Sequence, residues 1–219
     1  MKKIILLFFA VLFFASCEQQ PTSSEEEGVL PGFFSVSETE KIRFSKGNLQ
    51  YQASTDTWRF AENQYDVIGA DNSNISNSYD GWIDLFGWAT SGYSNSMPYQ
   101  TSDDISDYGP EDESIAETNY DWGVFTKISN GGNRVGLWRL LTKYEWEYIL
   151  NVRENASKLF GVGCVNGVNG LILLPDSCVI PEGVTFRAAV ASDSGAELYS
   201  IVNDFDLAEW TLLEEAGAV

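Results

Sequence analysis

The sequence predicts an α+β chain of short antiparallel strands, two helices and long irregular loops. Three observations point there. Short runs with alternating apolar residues, "KIRF", "NLQY" and "TWRF", recur between turn clusters. Two segments carry helix starts, Thr142 with Glu145 three residues on and Asp206 with Glu209 three residues on. Between these regions, residues 70–118 are dense in Gly, Asn, Ser and Asp and follow neither the helix period nor the strand period.

The N-terminus precedes the folded part. Lys2 and Lys3 open the chain, and residues 4–15 are apolar throughout. That run is shorter than the roughly 20 residues of a bilayer span and matches a signal-peptide core. It ends in "FFASC", where Ala15 and Ser16 before Cys17 resemble the lipobox of bacterial lipoproteins, with Phe14 in place of the usual Leu. The resemblance implies that Cys17 is diacylated and becomes the new N-terminus. The chain is then expected in the outer membrane or at the cell surface, held to the membrane by its lipid anchor, each buried methylene adding about 0.8 kcal/mol. Residues 18–31, with Pro21 and the run Glu25, Glu26 and Glu27, read as a flexible acidic linker. The expected organisation is thus a signal peptide over 1–17, a linker over 18–31 and one domain over 32–219.

Composition narrows the chemistry. The 219 residues carry a net charge of −19, and losing Lys2 and Lys3 deepens it. Such a field repels phosphate backbones, so no nucleic-acid partner is expected. There is no histidine. Ser-His-Asp and Cys-His catalysis are therefore excluded, and the commonest transition-metal ligand is missing. No metal and no cofactor is expected, since "GVGCVNGVNG" lacks the Lys-Ser/Thr ending of a phosphate loop. Asp103, Asp104, Asp107, Glu111, Asp112 and Glu113 crowd one segment without calcium-loop spacing, and read as an exposed acidic loop. Cys164 and Cys178 lie in a compartment that permits a disulfide, and sequence leaves open whether they pair.

Along the chain, strands are expected around Ile42 and Phe44, around Leu49 and Tyr51 after a turn at Lys46, Gly47 and Asn48, and over 58–60. The excursion over 70–118 is expected to be pinned by Trp82, Ile83, Leu85, Phe86 and Trp88. Residues 120–128 include an expected short strand, and 130–132 a turn. A strand over 138–141 then meets a helix. Thr142 is its N-cap, Glu145 closes the capping box, and Trp146, Ile149 and Leu150 share one apolar face, with Arg153 near its C-terminal end. Residues 171–174 read as a buried strand after a turn at Asn166-Gly167 or Asn169-Gly170. Residues 184–190 read as another strand. The second helix starts at Asp206, buries Leu207, Trp210 and Leu213, and stops at Gly217.

"WRLLTKYEWEYILNVR" resembles the Arg-Leu-Pro-Thr-x-x-Glu-Trp-Glu-Tyr signature of formylglycine-generating, sulfatase-modifying-factor-like proteins. The match runs through Arg139, Leu140, Thr142, Glu145, Trp146, Glu147 and Tyr148, with Leu141 at the family's Pro. The resemblance implies an elaborated C-type-lectin-like fold. "SKGNLQY", "TWRFAENQYDVIG", "GWIDLFGWATSGY", "YDWGV" and "NGVNGLILLPD" are similar to segments of secreted or lipoprotein sequences of gut Bacteroides-type bacteria. The family's C-terminal cysteine pair has no counterpart after Cys178, so oxidase activity is not implied. The calcium-dependent sugar motifs of animal C-type lectins are absent too. The ending "EEAGAV", directly after a helix, leads to the expectation of a domain truncated at its C-terminus and marginal in its C-terminal half.

The expected function is non-enzymatic binding or adhesion, with a glycan or protein ligand met by loop aromatics Trp82, Trp88, Tyr93 and Tyr99. Trp138, Thr142, Glu145, Trp146 and Trp210 are expected to be scaffold. The alternative is a structural or vestigial envelope lipoprotein with no ligand of its own, and the last reading is a modifying enzyme of the formylglycine-generating type.

Overall fold

The computed structural model describes the backbone of residues 9–12 and residues 27–74, 76–100, 110, 114–189 and 203–219. The lipidation residue Cys17 and the acidic cluster of Asp103, Asp104, Asp107, Glu111, Asp112 and Glu113 lie outside the described residues. The fold is mixed α+β. In chain order the strands are β1 (Phe9–Leu12), β2 (Phe34–Ser35), β3 (Lys41–Phe44), β4 (Leu49–Gln52), β5 (Thr57–Phe60), β6 (Trp138–Leu140), β7 (Phe160–Val165), β8 (Val168–Leu173) and β9 (Asn203–Phe205). Among the described residues there are three α-helices rather than the expected two: α1 (Trp122–Phe125), α2 (Lys143–Glu147) and α3 (Leu207–Glu215). No helix among them is long and apolar enough to cross a membrane. The chain divides into two compact units, one of Met1–Val29 with Ser45–Thr142, the other of Leu30–Phe44 with Lys143–Val219.

In the first unit, β4 and β5 form an antiparallel hairpin with Tyr51 opposite Trp58. The turn residue Asp56 takes a left-handed backbone, and its carboxylate accepts from the Tyr51 hydroxyl at 3.0 Å. Each outer edge of the hairpin is met by one residue of a loop. Ile83 bridges Tyr51, and Ile128 bridges Trp58. These residues and Leu49, Phe60, Ile115, Trp122, Trp138 and Leu140 make the core. The turn at Lys46, Gly47 and Asn48 does not make a hairpin, because the ladder of β4 is with β5. The excursion is pinned mainly through Ile83 and Phe86, whose ring meets Trp58 and Trp122 at 5.4 Å each. Leu85 is half exposed. Asn72 serves as a clamp, accepting from the Asp84 and Leu85 amides at 2.8 and 3.0 Å.

The strand expected within residues 120–128 is instead the single turn α1. Asp121 is extended and its carboxylate accepts from the Gly123 amide at 3.0 Å, the geometry of an N-cap. Gly123 is packed against the backbone of Trp138, where a side chain has no room. Chain order then reaches β6, whose three residues are all buried. β1 runs antiparallel to it, Phe9 opposite Leu140 and Val11 opposite Trp138, so part of the segment read as a signal-peptide core is strand here. The body of this unit also begins earlier than the linker reading allows, since Val29 already bridges Ser45.

In the second unit, β2 pairs antiparallel with β3, and Phe34 meets Phe44 edge-on at 4.8 Å. The Trp146 indole of α2 lies 6.0 Å from the Phe44 ring of β3, half buried. After Glu147 the helix widens into a π-type turn over Tyr148–Val152, ended by the Arg153 amide reaching the Tyr148 carbonyl at 2.9 Å. Ile149 is fully buried and Leu150 half buried. β7 and β8 form a second hairpin, and the turn is Asn166-Gly167, with φ of 50° and 80°. Positive φ at both positions is the type I′ turn that Asn-Gly favours.

Residues 184–189 hold no strand, contrary to expectation. They are held by the Asn203 side chain, which accepts from the Arg187 amide at 2.8 Å and donates to its carbonyl at 2.9 Å. The third strand of this sheet is β9, parallel to β7. α3 has the expected capping box of Asp206 and Glu209. Trp210 and Leu213 are buried, but Leu207, in the first turn, stays 47% exposed. Gly217, at φ of 94°, ends the helix with its amide on the Glu214 carbonyl. Val219 pairs with Leu173 through both backbone groups.

Candidate functional site

Two hollows lie in the first unit. The larger, about 530 Å³, is lined by Tyr93, Pro110, Ser114, Thr118, Asn119 and Tyr120. Its walls come from two irregular segments. Gly92 is left-handed at φ of 92°, and its amide donates to the Ser96 carbonyl, which folds 92–96 into a tight loop presenting Tyr93. The Ser91 hydroxyl donates to the Asn119 carbonyl at 2.7 Å and ties that loop to the opposite wall. The opposite wall is a pair of successive turns, with the Thr118 amide on the Ile115 carbonyl and the Asp121 amide on the Thr118 carbonyl.

Both tyrosines are held by edge-to-face ring contacts. Tyr93 meets Tyr120 at 5.0 Å and Phe125 at 5.5 Å, each ring nearly perpendicular to its neighbour. An edge-to-face pair covers a face of one of its two rings, and the hydroxyls and remaining faces are what a ligand meets. The Ser114 hydroxyl, the Asn119 amide and both phenols make no hydrogen bond within the described residues. No carboxylate, ammonium or guanidinium stands among the described lining residues. A hollow of that kind suits an uncharged, hydroxyl-bearing ligand with an apolar face.

Asp121 organises this wall from beneath. It is completely buried, and its carboxylate accepts from the Glu117, Gly123 and Leu140 amides at 3.1, 3.0 and 2.8 Å. Burial pushes its carboxyl up to about 6, against the pull of those three amides and of Arg139. Arg139, itself buried, lies 3.6 Å from the Glu117 carboxylate and donates to the Leu140 carbonyl.

The smaller hollow, about 280 Å³, is lined by Gln50, Arg59, Phe60, Ala61, Glu62, Asp66 and Asn130. Its polar groups are largely engaged already. The Arg59 guanidinium stacks over the Trp82 ring at 3.8 Å and donates to Gln50 at 2.9 Å. Asn130 closes on both backbone groups of Phe60, and Asp66 accepts from Asn63.

The four loop aromatics singled out in the sequence therefore have different settings. Tyr93 lines the larger hollow. Trp82 is covered on one face by Arg59. Trp88 packs half buried against the core, 6.3 Å from Trp122, and Tyr99 does the same, 6.5 Å from Tyr51. Sequence reasoning missed Tyr120, Asn119 and Asp121. The available signal was Asp121 followed by Trp-Gly, an N-cap pattern read as a strand.

Of the scaffold residues, the Trp138 indole donates to the Gly131 carbonyl at 2.8 Å and its ring meets Phe60 at 4.4 Å. Thr142 directly precedes α2, and Glu145 stands in its first turn. Trp210 lies 6.4 Å from Phe205. Cys164 and Cys178 are both free thiols, and burial pushes the Cys178 thiol up, away from the thiolate. Among the described residues no three Asp, Glu or Cys side chains gather to hold a metal ion. Comparison with known proteins found no matching family model, no similar curated protein and no similar solved structure.

Proposed function

We propose that this chain is an exported lipoprotein, anchored at Cys17 on the outer membrane or cell surface, whose C-type-lectin-like domain binds a neutral glycan at the Tyr93–Tyr120 hollow. The lipobox-like "FFASC" supports the anchor, and the "WRLLTKYEWEYILNVR" segment supports the fold. The observation that supports the binding reading is that the described lining residues carry no charge in a chain of net charge −19, and that among the described residues two tyrosines and hydroxyl and amide groups stand there unengaged. Sugars offer the matching chemistry, an apolar ring face bordered by hydroxyls. Binding is favoured over His-dependent catalysis, since the chain has no histidine for a Ser-His-Asp or Cys-His centre.

The test is a glycan array probed with the processed protein and with Tyr93→Ala. Binding of neutral glycans weakened about tenfold by the substitution, the loss of one good contact, is the expected result. No neutral glycan above background overturns it. A purely structural envelope role is the second reading, favoured by the packing of Trp88 and Tyr99 against the core.

A further inference from the structure

The β4–β5 hairpin has a polar face as well as a core face. Tyr51 and Trp58 belong to the core, and alternation along each strand turns their neighbours Gln50 and Arg59, which stand opposite each other, to the other face. The Arg59 Nε–H donates to the Gln50 Oε1 at 2.9 Å, and the Trp82 ring lies 3.8 Å from the guanidinium. Those two contacts fix the plane of the guanidinium fork and leave both Nη groups without a hydrogen bond among the described residues. Burial works against the Arg59 charge, and Glu62 offsets only part of that effect. The same bond orients the Gln50 carboxamide. Its oxygen is taken, and its Nε2 group has no acceptor among the described residues, although Gln50 is only 3% exposed. A buried donor left unpaired is costly. Both side chains line the smaller hollow of the first unit.

Two carboxylates share that lining. Glu62 is exposed and pairs with Lys46 at 3.4 Å. Asp66 uses Oδ2 to accept from the Asn63 amide and side chain at 2.9 and 3.0 Å, and its Oδ1 takes no hydrogen bond among the described residues. One hollow thus offers a planar cationic fork with an amide donor, and a carboxylate oxygen. We propose that it is a second binding site, for a small zwitterion of the α-amino-acid type, whose carboxylate sits on Arg59 and Gln50 and whose ammonium faces Asp66. The guanidinium fork matches a carboxylate bidentately, and its stacking on Trp82 holds it ready. A plain anion is opposed by the net charge of −19, whereas a zwitterion brings no net charge. The volume of about 280 Å³ falls below that of pockets for drug-sized ligands and suits a molecule of this size. This site is separate from the Tyr93–Tyr120 hollow, and the inference is independent of the glycan reading.

The experiment is equilibrium dialysis of the full chain, in detergent micelles, against each of the twenty free amino acids, with propionate and ethylamine as probes that keep only one of the two charges. At least one amino acid is expected to bind with a Kd of about 1 mM or tighter, and both single-charge probes about tenfold more weakly. Retention of none of the twenty overturns the site, and propionate or ethylamine bound as tightly as the amino acid overturns its zwitterionic character. Arg59→Lys keeps the charge and loses the fork, and is expected to weaken the amino acid about tenfold. Asp66→Asn keeps an acceptor for Asn63 and loses the charge, and is expected to bring the amino acid down to the level of propionate. Unchanged binding in either variant overturns the assignment. Side-chain NMR of the native chain decides the matter without a variant: the amino acid is expected to shift the Gln50 carboxamide and Arg59 guanidinium signals, and their failure to move overturns the proposal.

Discussion

Two carboxylates, Asp121 buried and Asp176 part-buried, show how single residues set opposite responses to pH. Asp121 is raised to about 6 from an ordinary 3.8 by burial, so between those values the folded chain binds more protons than the unfolded one. Its contribution to stability is therefore largest below pH 4 and falls as pH rises towards 6, by on the order of 3 kcal/mol. Urea midpoints measured from pH 4 to 7 are expected to fall for the native chain relative to Asp121→Asn, which cannot ionise; parallel curves would contradict this. For Asp176 in the second unit, burial raises its carboxyl, but the Ser35 hydroxyl at 2.6 Å, the Ser35 amide and Lys41 at 3.0 Å outweigh it and hold it below the usual range. Its contribution is complete above the ordinary carboxylate value and is lost as pH drops through its depressed folded value. Arg153, whose side chain is 1% exposed, donates to Asp176 at 3.2 Å and to the Ile149 and Leu159 carbonyls. Asp176→Asn strips a buried guanidinium of its counter-charge, and a loss of about 3 kcal/mol is expected by chemical denaturation at pH 7. A loss below about 1 kcal/mol would place Arg153 in contact with water, as for an exposed pair.

At the scale of elements, what was legible in the sequence follows from whether the signal is local. The Asn-Gly hairpin and the Asp206 capping box each lie within four residues, and both are legible, although sequence left the turn open between Asn166-Gly167 and Asn169-Gly170. Gly167→Ala should lower stability by about 1 kcal/mol in a thermal melt, because φ of 80° is strained for any side chain while the space around it is open. An unchanged melting temperature would mean that the turn relaxes to another type. What failed was long-range. β9 pairs with β7 across some forty residues, and nothing within "NDF" announces a parallel partner. Residues 184–189 have strand composition, yet the Asn203 amide replaces the ladder there. α1 was misread because four residues carry too short a pattern, although Asp121 before Trp-Gly marked its cap. The larger hollow was half legible. An aromatic-rich loop pointed to Tyr93, but its partners Asn119 and Tyr120 are brought to it by long-range contacts, the Ser91 bond to Asn119 and the ring contact of Tyr93 with Tyr120.

For the molecule as a whole, the excess of carboxylates gives a field that repels polyanions, while the larger hollow is free of charge among its described lining residues. On the proposed glycan reading a ligand there is recognised by ring stacking and neutral hydrogen bonds, so its affinity should be nearly insensitive to salt, whereas surface charge interactions weaken once the Debye length shortens to about 10 Å. The most direct test of the binding account is an amide-exchange footprint of the processed protein with a saturating neutral oligosaccharide drawn from the glycan array. Protection confined to residues 91–96 and 114–121, unchanged between low and physiological salt, is the predicted result. Protection centred on Trp82 and Arg59 instead, or no protection at either hollow, would contradict it.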